Sequence, residues 1–406
     1  MKQIDGGITA PQGFSASGIA AGIKKKKKDL ALLVSSCPAV VAGAFTTNVV
    51  KAAPVVWDQK IVASGKPVRA ILVNSGNANA CTGSQGYLDT QAMASVSAQA
   101  IGCASQEVLV CSTGVIGLPM PMQKVETGIA QCACSLASSP QAAEDAAQAI
   151  CTTDTFSKVV AVELEIDGKP VRIAGMAKGS GMIHPNMATM LSFITTDAAI
   201  EAPLLQSLLG STIIDSYNMI SVDGDTSTND TVLVLANGCS GSPVIKSGTP
   251  QEKLFTEAFL FVHTALAKLI VKDGEGAGKF IEVRVQGAAS TQDARTMARS
   301  VVSSSLVKAA FFGADANWGR ILCAMGYSGA SFNPEGVSIR YESANGAVHV
   351  VDKGVPIAFD EALAKHVLQA KSISVFADLA EGTGKATAWG CDLTYDYVKI
   401  NGDYRS

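Results

Sequence analysis

The chain has 406 residues, of which 48% are hydrophobic and only 17% are charged, and this balance excludes a disordered protein. A chain of this length accommodates two or three compact units with a large buried core. The net charge of −3 at pH 7 argues against a dedicated nucleic-acid-binding protein, which usually has a strong basic excess.

One strongly basic segment departs from this balance, the run of five lysines at residues 24–28. Such a run is typical of a solvated loop, and a site that attracts an anionic ligand is the alternative interpretation. It is too short to change the class of protein that the overall charge indicates.

The cysteines and apolar runs indicate the compartment. Ten cysteines are scattered along the chain, and neither a signal-peptide pattern nor an apolar run of membrane-spanning length is evident. We therefore expect a cytoplasmic protein with reduced thiols and no membrane contact. Cys132 and Cys134 have no matching histidine or cysteine cluster, so we predict no metal site.

The first half of the chain mixes strand and helix patterns. Residues 74–83 form a loop dense in glycine and asparagine, and Asp167-Gly168 is a strong hairpin signal. Apolar patterns predict helices over 89–100 and 140–150, and strands over 31–35, 40–46, 67–73, 108–111, 159–166 and 170–177.

The second half continues in the same manner. Patterns predict helices over 202–217, 251–272, 294–311 and 360–370, and strands over 190–195, 232–236, 280–285, 336–341, 348–357, 372–379 and 387–400. Hairpin signals are common and regular βαβ repetition is absent. The fold class is therefore α/β (α+β), a layered sandwich of mixed or antiparallel sheets covered by helices, with a smaller lobe over about 281–385.

Residues 178–198 change character abruptly. Residues 178–186 are rich in Gly, Pro and Asn, whereas 190–195 read as a buried strand, and Ala188-Thr189 lies at the junction. A small residue followed by a hydroxyl at the start of a buried strand is the layout of a self-cleaving N-terminal-nucleophile precursor. The freed α-amine, with an ordinary pKa of about 7.7–8.0, would serve as the base. A purely structural threonine is the alternative.

Other candidates suit the same chemistry. In Ser112-Thr113-Gly114, a strand end places a hydroxyl and a backbone N–H together, as an oxyanion hole requires, although an ordinary turn has the same composition. Lys178 and Glu275 lie in glycine-rich segments and suit the carboxylate and amine of an amino-acid-like ligand, with solvated surface charges as the alternative.

The sequence resembles the ornithine acetyltransferase family, also called glutamate N-acetyltransferase, of arginine biosynthesis. The resemblance covers essentially the whole chain, and the motifs that carry it lie at residues 74–83, 112–117, 151–155, 178–197, 223–230, 273–276, 315–320 and 389–397. It implies an α/β sandwich shared with some self-processing aminopeptidases. It also implies cleavage between Ala188 and Thr189 into an α chain, 1–188, and a β chain, 189–406.

The resemblance further implies residue roles. Thr189 is the nucleophile with its α-amine as base, Thr113 and Gly114 form the oxyanion hole, and the substrate contacts are Thr152, Lys178, Thr189, Glu275, Asn401 and Ser406. The family normally ends in threonine, so the serine here retains the hydroxyl and loses a methyl group.

The implied reaction is ping-pong acetyl transfer from N2-acetyl-L-ornithine to L-glutamate through an acetyl-threonine intermediate. No cofactor is required, and some members also accept acetyl-CoA. The implied assembly is an α2β2 heterotetramer without nucleic-acid or membrane partners. The alternatives are an aminopeptidase or amidase on the same scaffold, in which water resolves the acyl-enzyme, and an uncut binding protein without enzymatic activity.

Overall fold

Two sheets carry most of the core in this computed structural model, which describes residues 1–184 and 190–403. The strands in chain order are β1 (Lys2–Gln3), β2 (Phe14–Ile19), β3 (Leu30–Phe45), β4 (Val68–Asn77), β5 (Val108–Val115), β6 (Lys158–Ile166), β7 (Lys169–Lys178), β8 (Leu191–Thr196), β9 (Ile220–Ser221), β10 (Thr231–Ala236), β11 (Phe280–Ala288), β12 (Ser338–Ser343), β13 (Gly346–Asp352), β14 (Val355–Pro356), β15 (Ser372–Asp378) and β16 (Gly384–Cys391).

Helices cover both sheets. In chain order they are α1 (Ala53–Ala63), α2 (Gly83–Ile101), α3 (Met122–Cys134), α4 (Pro140–Ile150), α5 (Ala202–Ile214), α6 (Pro250–Lys272), α7 (Thr291–Ser303), α8 (Ser305–Phe312), α9 (Trp318–Gly326), α10 (Glu361–Leu368) and α11 (Tyr395–Asp403).

The larger sheet has the order β1-β6-β7-β8-β10-β3-β4-β5, with β2 also paired to β3. The pairs β8–β10 and β4–β5 are parallel and the others are antiparallel, so the predicted mixed sheet is confirmed. Residues from both sides of position 188 alternate in this sheet, because β8 and β10 lie between β7 and β3. Any cut at that position would therefore leave two chains that share one sheet.

The second sheet has the order β14-β13-β12-β15-β11-β16-β9. Its apolar residues, including Val283 and Val375, belong to the same buried cluster as Phe255 and Phe259 of α6. Helix α6 contacts β6 and β7 of the larger sheet and β16 of the second sheet, so it joins the two layers.

Helix α6 corrects one expectation from the sequence. By length and composition it is apolar enough to cross a membrane, with a mean hydropathy of 1.7 over its most apolar window. Its core-facing apolar side chains, including Phe255, Val262 and Ile270, are instead fully buried against the two sheets, whereas Leu254 near its start is exposed. Core helices of water-soluble proteins also meet this length criterion, so the helix is no evidence for a membrane span.

Local signals account for the elements that the sequence predicted well. Helix α4 begins with Pro140 at its first position, after Ser139, whose hydroxyl accepts a hydrogen bond from the Ala142 N–H. The hairpin between β6 and β7 is confirmed. Asp167 and Gly168 both have positive φ, at 50° and 74°, as a two-residue type I′ turn requires.

Other predictions were wrong. The strands predicted over 31–35 and 40–46 are one long strand, β3, which changes register between Val34 and Ala39. The helix predicted over 294–311 is two helices, because Ser304 leaves the helical conformation and caps α8. The strand predicted over 387–400 ends at Cys391, and its last residues, from Tyr395 on, belong to α11; helices α1, α3 and α9 were not predicted at all.

Candidate active site

One pocket of about 140 Å³ gathers residues from seven separate segments of the chain. Six of its residues are among the site residues that the sequence suggested: Thr113, Gly114, Thr152, Lys178, Glu275 and Asn401. The other lining residues are Ala78, Ile116, Thr153, Gly181, Met182, Ser227, Thr228 and Asn229. The pocket lies where β5 and β7 end and where the loop before β10 crosses them.

Thr113 and Gly114 lie at the end of β5, which is parallel to β4. Gly114 pairs with Gly76 and has φ of 131°, a conformation that residues with a Cβ rarely adopt. A Cβ on Gly114 would lie 2.4 Å from the Gly76 carbonyl carbon, so only glycine allows the two backbones to approach this closely. The strand end therefore presents the Thr113 hydroxyl and backbone to the pocket without a further side chain.

Lys178 ends β7 and is only 3% exposed, so it is not a surface charge. Its Nζ lies 3.5 Å from the Thr113 Oγ1, a long contact in which the ammonium group donates. Because the Thr113 oxygen then acts as an acceptor toward the lysine, its own hydroxyl hydrogen is available to a third group. This is the geometry that a hydroxyl donor to an oxyanion needs.

A buried ion network lies behind the pocket. The Lys158 Nζ donates to the Asp154 Oδ1 at 2.6 Å and to the Asp273 Oδ2 at 2.5 Å, and the three side chains are almost completely buried. Burial disfavours the Asp154 carboxylate, but Lys178 and Lys158 outweigh it and lower the pKa of Asp154 to about 2. Asp154 remains ionised and compensates the charge of Lys178.

The same network fixes the loops that line the pocket. The Asp154 carboxylate accepts the backbone N–H of Thr152 at 3.0 Å and that of Gly179 at 2.8 Å. Asp273, two residues before Glu275, accepts the backbone N–H of Thr155 at 3.0 Å. The segments that carry Thr152, Lys178 and Glu275 are therefore anchored to one buried charge cluster, which no pattern in the sequence indicated.

Asn229 connects the loop before β10 to the end of β5. Its side-chain amide, 5% exposed, donates to the carbonyl oxygen of Ser112 at 2.8 Å and to that of Ala78 at 2.7 Å. The asparagine thus supplies buried donors to both carbonyls and helps to fix the position of Thr113, which follows Ser112.

Asp230, the next residue, holds the start of β8. Its Oδ1 accepts the backbone N–H of Met190 at 2.9 Å, and its Oδ2 has no hydrogen-bond partner among the residues that the structure describes. Burial raises the pKa of Asp230 well above its ordinary value, although the Met190 N–H and Lys178 act in the opposite direction. Residues 229 and 230 thus tie β5 and β8 to one loop.

Glu275 and Asn401 meet at the mouth of the pocket. The Asn401 Nδ2 donates to the Glu275 Oε2 at 2.9 Å, and the Glu275 backbone N–H donates to the Ser180 carbonyl at 2.9 Å. Asn401 reaches this position because it lies in helix α11, which replaces the last part of the strand predicted over 387–400. The helix packs closely on Gly276, where a Cβ would lie 2.5 Å from the Tyr397 backbone nitrogen.

Three predicted residues, Ala188, Thr189 and Ser406, lie outside the described residues. The described chain on either side of the first two leads to the pocket. Gly181 and Met182 line it, and β8 begins at Leu191, whose register partner in β7 is Lys178.

Two further sequence features have structural roles. His184 does not line the pocket, and its Nδ1 lies 3.3 Å from the Ser221 Oγ. Burial lowers the pKa of His184, so it is neutral at pH 7.

The lysine run at residues 24–28 is a largely exposed turn closed by Asp29, whose Oδ2 accepts the Lys24 backbone N–H at 2.7 Å. Lys25, Lys26 and Lys27 are exposed, as the solvated-loop interpretation expects, whereas Lys24 is half-buried and its Nζ donates to the Cys151 carbonyl at 2.8 Å.

The pocket therefore combines a buried ammonium group, a hydroxyl, a strand-end glycine and a half-buried carboxylate. These groups suit a small zwitterionic ligand with a carbonyl group that becomes an oxyanion. Within residues 1–184 and 190–403, no group of three His, Cys, Asp or Glu side chains has the arrangement of a metal site.

Comparisons with known proteins identify similar chains. The model of the ArgJ family matches residues 15–406. The arginine biosynthesis bifunctional protein ArgJ of Caldanaerobacter subterraneus subsp. tengcongensis is 54% identical over 406 residues, which is 100% of both chains. The ArgJ protein of Symbiobacterium thermophilum is also 54% identical, over 100% of both chains.

Solved structures match shorter stretches. The crystal structure of ArgJ from Bacillus halodurans is 45% identical with a TM-score of 0.51, and the match covers 53% of this chain and 100% of the solved chain. A chain of the ornithine acetyltransferase of Mycobacterium tuberculosis, complexed with ornithine, is 43% identical with a TM-score of 0.43. That match covers 45% of this chain and 97% of the solved one.

Proposed function

The chain belongs to the ArgJ family, and we propose that it is a self-cleaving enzyme that moves an acetyl group from N2-acetyl-L-ornithine to L-glutamate. It is an N-acetyltransferase of arginine biosynthesis. The observation that carries the residue roles is the pocket itself, because Thr113, Gly114, Lys178, Glu275 and Asn401 are far apart in sequence and line one cavity.

The first half-reaction forms the acetyl-enzyme. The Thr189 oxygen attacks the acetyl carbonyl carbon, and the α-amine freed by cleavage takes the hydroxyl proton. Thr113 and Gly114 donate to the resulting oxyanion. The tetrahedral intermediate collapses with cleavage of the carbon–nitrogen bond, the proton passes to the departing ornithine nitrogen, and an acetyl ester remains on Thr189.

The second half-reaction repeats the chemistry with glutamate. Its amine attacks the ester carbonyl and the same oxyanion donors act. The α-amine of Thr189 takes a proton from the attacking nitrogen, and the Thr189 oxygen leaves with that proton. No group beyond the two amino acids is consumed, so the cycle requires no cofactor. Acetyl-CoA is a second acetyl donor that the same nucleophile would accept, and an assay without acetylornithine tests it.

The charged residues select amino-acid substrates. The buried ammonium group of Lys178 suits the substrate carboxylate, and the Glu275 carboxylate at the pocket mouth suits the side-chain amine of acetylornithine. Thr152 and Asn401 add neutral hydrogen-bonding groups. In this proposal the Ser406 hydroxyl completes the substrate contacts.

The length of a solved relative supports cleavage before Thr189. The Bacillus halodurans chain is matched over its whole length yet covers 53% of this chain, and residues 189–406 are 218 of the 406 residues, about 54%. A mature enzyme of two α and two β chains in the cytoplasm, without nucleic-acid or membrane partners, is part of the same proposal.

Mass measurement of the purified protein tests the cleavage. We expect two chains of 188 and 218 residues in the wild type and one intact chain after Thr189→Ala, which also loses acetyl transfer. Thr189→Ser should retain part of both activities, because a hydroxyl remains. Thr127→Ala, at an exposed position on α3, is the matched control and should cleave normally. An intact wild-type chain with full activity would contradict the mechanism.

The competing function is hydrolysis by an aminopeptidase or amidase on this scaffold. In that case water resolves the acyl-enzyme, and glutamate would leave the rate of ornithine release unchanged. We expect glutamate to accelerate ornithine release from acetylornithine and to yield N-acetylglutamate in equal amount. Equal rates with and without glutamate would favour the hydrolase.

A further inference from the structure

Two cysteines from distant parts of the sequence meet at the end of the larger sheet that is remote from the pocket. The Cys37 Sγ lies 3.5 Å from the Cys239 Sγ, although 202 positions separate the two residues. Both side chains are half-buried, so small reagents reach them. The other eight cysteines are also free thiols.

The backbone holds both thiols in place. Cys37 lies where β3 changes register between Val34 and Ala39. Cys239 lies in the turn after β10, where its backbone N–H donates to the Asn237 Oδ1 at 3.0 Å. Asn237 also anchors the neighbouring chain, since its side-chain amide donates to the Gln12 carbonyl at 3.0 Å.

The two sulfurs need only a small movement to bond. A disulfide requires a separation of about 2.05 Å, so the sulfurs must approach by roughly 1.5 Å, which rotation of the two side chains about χ1 can supply. Burial and the adjacent Cys37 thiol raise the pKa of Cys239, so the Cys239 thiol stays protonated at pH 7.

We propose that Cys37 and Cys239 are an oxidation site whose disulfide covalently joins the two halves of the cleaved enzyme. Cys37 belongs to residues 1–188 and Cys239 to residues 189–406. The joining of two chains rests on the proposed cleavage, whereas the formation of the bond does not.

The oxidant is a small disulfide such as oxidised glutathione. The thiolate of one cysteine attacks a glutathione sulfur, which gives a mixed disulfide and releases one glutathione thiolate. The second cysteine then attacks the protein sulfur of the mixed disulfide and releases the second glutathione. Two protein thiols and one glutathione disulfide thus become one protein disulfide and two glutathione thiols.

The bond should leave catalysis unchanged. The six residues of β10 separate the pair from Asn229 in the pocket, a span of roughly 20 Å at about 3.3 Å per residue. The disulfide would keep the two chains together when the protein unfolds. Their reassociation on refolding would then be an intramolecular step.

The test uses the purified full-length enzyme treated with oxidised glutathione and then alkylated. We expect one band of full mass on a denaturing gel without reductant, two bands with reductant, and unchanged transfer activity. Cys37→Ser and Cys239→Ser should each show two bands on both gels. Cys103→Ser and Cys323→Ser, one in each half, are matched controls and should behave as the wild type.

Peptide mapping separates this proposal from the cleavage. A tryptic peptide containing Cys37 joined to one containing Cys239 supports the disulfide even if the chain proves to be uncut. Complete alkylation of both cysteines after oxidation at pH 8.5, in protein that retains its activity, would overturn the proposal.

Discussion

The side-chain amide of Asn229 donates a hydrogen bond to the backbone carbonyl of Ser112 at 2.8 Å, one residue before Thr113. We predict that Asn229→Ala lowers kcat about 10- to 100-fold with little change in KM, because a lost buried hydrogen bond costs about 1–3 kcal/mol and displaces the oxyanion donor. Steady-state kinetics with acetylornithine and glutamate measure the effect.

The matched control for that change is Asn345→Ala. The Asn345 side-chain amide also donates to a backbone carbonyl, that of His366 at 2.8 Å, but on the second sheet. A kcat for Asn229→Ala equal to that of the control would contradict a positioning role for Asn229.

Lys178 is the buried cation of the pocket, and we predict that Lys178→Met lowers kcat/KM for acetylornithine by at least 100-fold. Methionine retains most of the side-chain length but removes the charge and the contact with the Thr113 hydroxyl. The measurement is kcat/KM with saturating glutamate. Lys25→Met, on the exposed lysine turn, should change nothing. An effect of similar size in both variants would refute the role of Lys178.

Glu275→Gln isolates the charge at the pocket mouth, because glutamine can still accept the hydrogen bond from Asn401. We predict that KM for acetylornithine rises about 10- to 100-fold while kcat falls less, since charge-assisted hydrogen bonds contribute about 1.5–3 kcal/mol. Glu165→Gln, at an exposed position, is the control. If kcat fell and KM stayed constant, Glu275 would act on the reaction and not on binding.

Lys158 compensates two buried carboxylates, so its removal should destabilise the protein more than it affects binding. We predict that Lys158→Met lowers the free energy of unfolding by about 3–5 kcal/mol at pH 7, because Asp154 and Asp273 then lack their shared cation. Urea unfolding measures this change, with the exposed Lys169→Met as control. An unfolding midpoint that matches the control would show that the network is not a source of stability.

His263 makes stability depend on pH. It is fully buried between Phe259 and Tyr217, and neither ring nitrogen has a hydrogen-bond partner within the described part of the chain. Burial lowers its pKa to about 3, below the value of about 6.5 in the unfolded chain. Between these two pH values the unfolded state therefore binds more protons than the folded state. The contribution of His263 to stability is fully present above pH 6.5 and is lost as the pH falls.

The expected loss is about 1.4 kcal/mol for each pH unit below 6.5. The variant His263→Phe lacks this dependence. From pH 7 to pH 5 the unfolding free energy of the wild type should therefore fall relative to that of the variant. His366→Phe, at an exposed position, should follow the wild type. Parallel pH profiles for the wild type and His263→Phe would contradict the argument.

Local chemistry made part of the fold predictable. Helix α4 and the β6–β7 hairpin follow from a proline, a capping serine and a two-residue turn, all of which act within a few positions. The loop predicted over residues 74–83 was partly wrong, because β4 continues to Asn77. The polar side chains there are satisfied across the fold, as when the Ser75 hydroxyl donates to the Ala149 carbonyl at 2.5 Å.

The pocket residues could be suggested from the sequence, whereas the residues that hold them in place could not. Residues such as Thr113 and Lys178 were suggested by motif and resemblance, and the structure brings them to one pocket. Asn229 lies in the motif at 223–230 but received no role from it, and Lys158 had no signal, because the roles of both depend on which buried segments meet. Asparagine in a polar loop is ordinarily a turn former, and only the carbonyls of Ala78 and Ser112 give it another role.

The alternation of strands across position 188 constrains how such an enzyme is made. Strand β8 lies between β7 and β10, and β10 pairs in turn with β3, so neither half has all of its strand partners without the other. Each half synthesised alone would present long unpaired strand edges, which favour aggregation. Synthesis as one polypeptide ensures that both halves are present in equal number at the same place. The proposed cut would therefore follow folding, and a single reading frame for both halves suits that order of events.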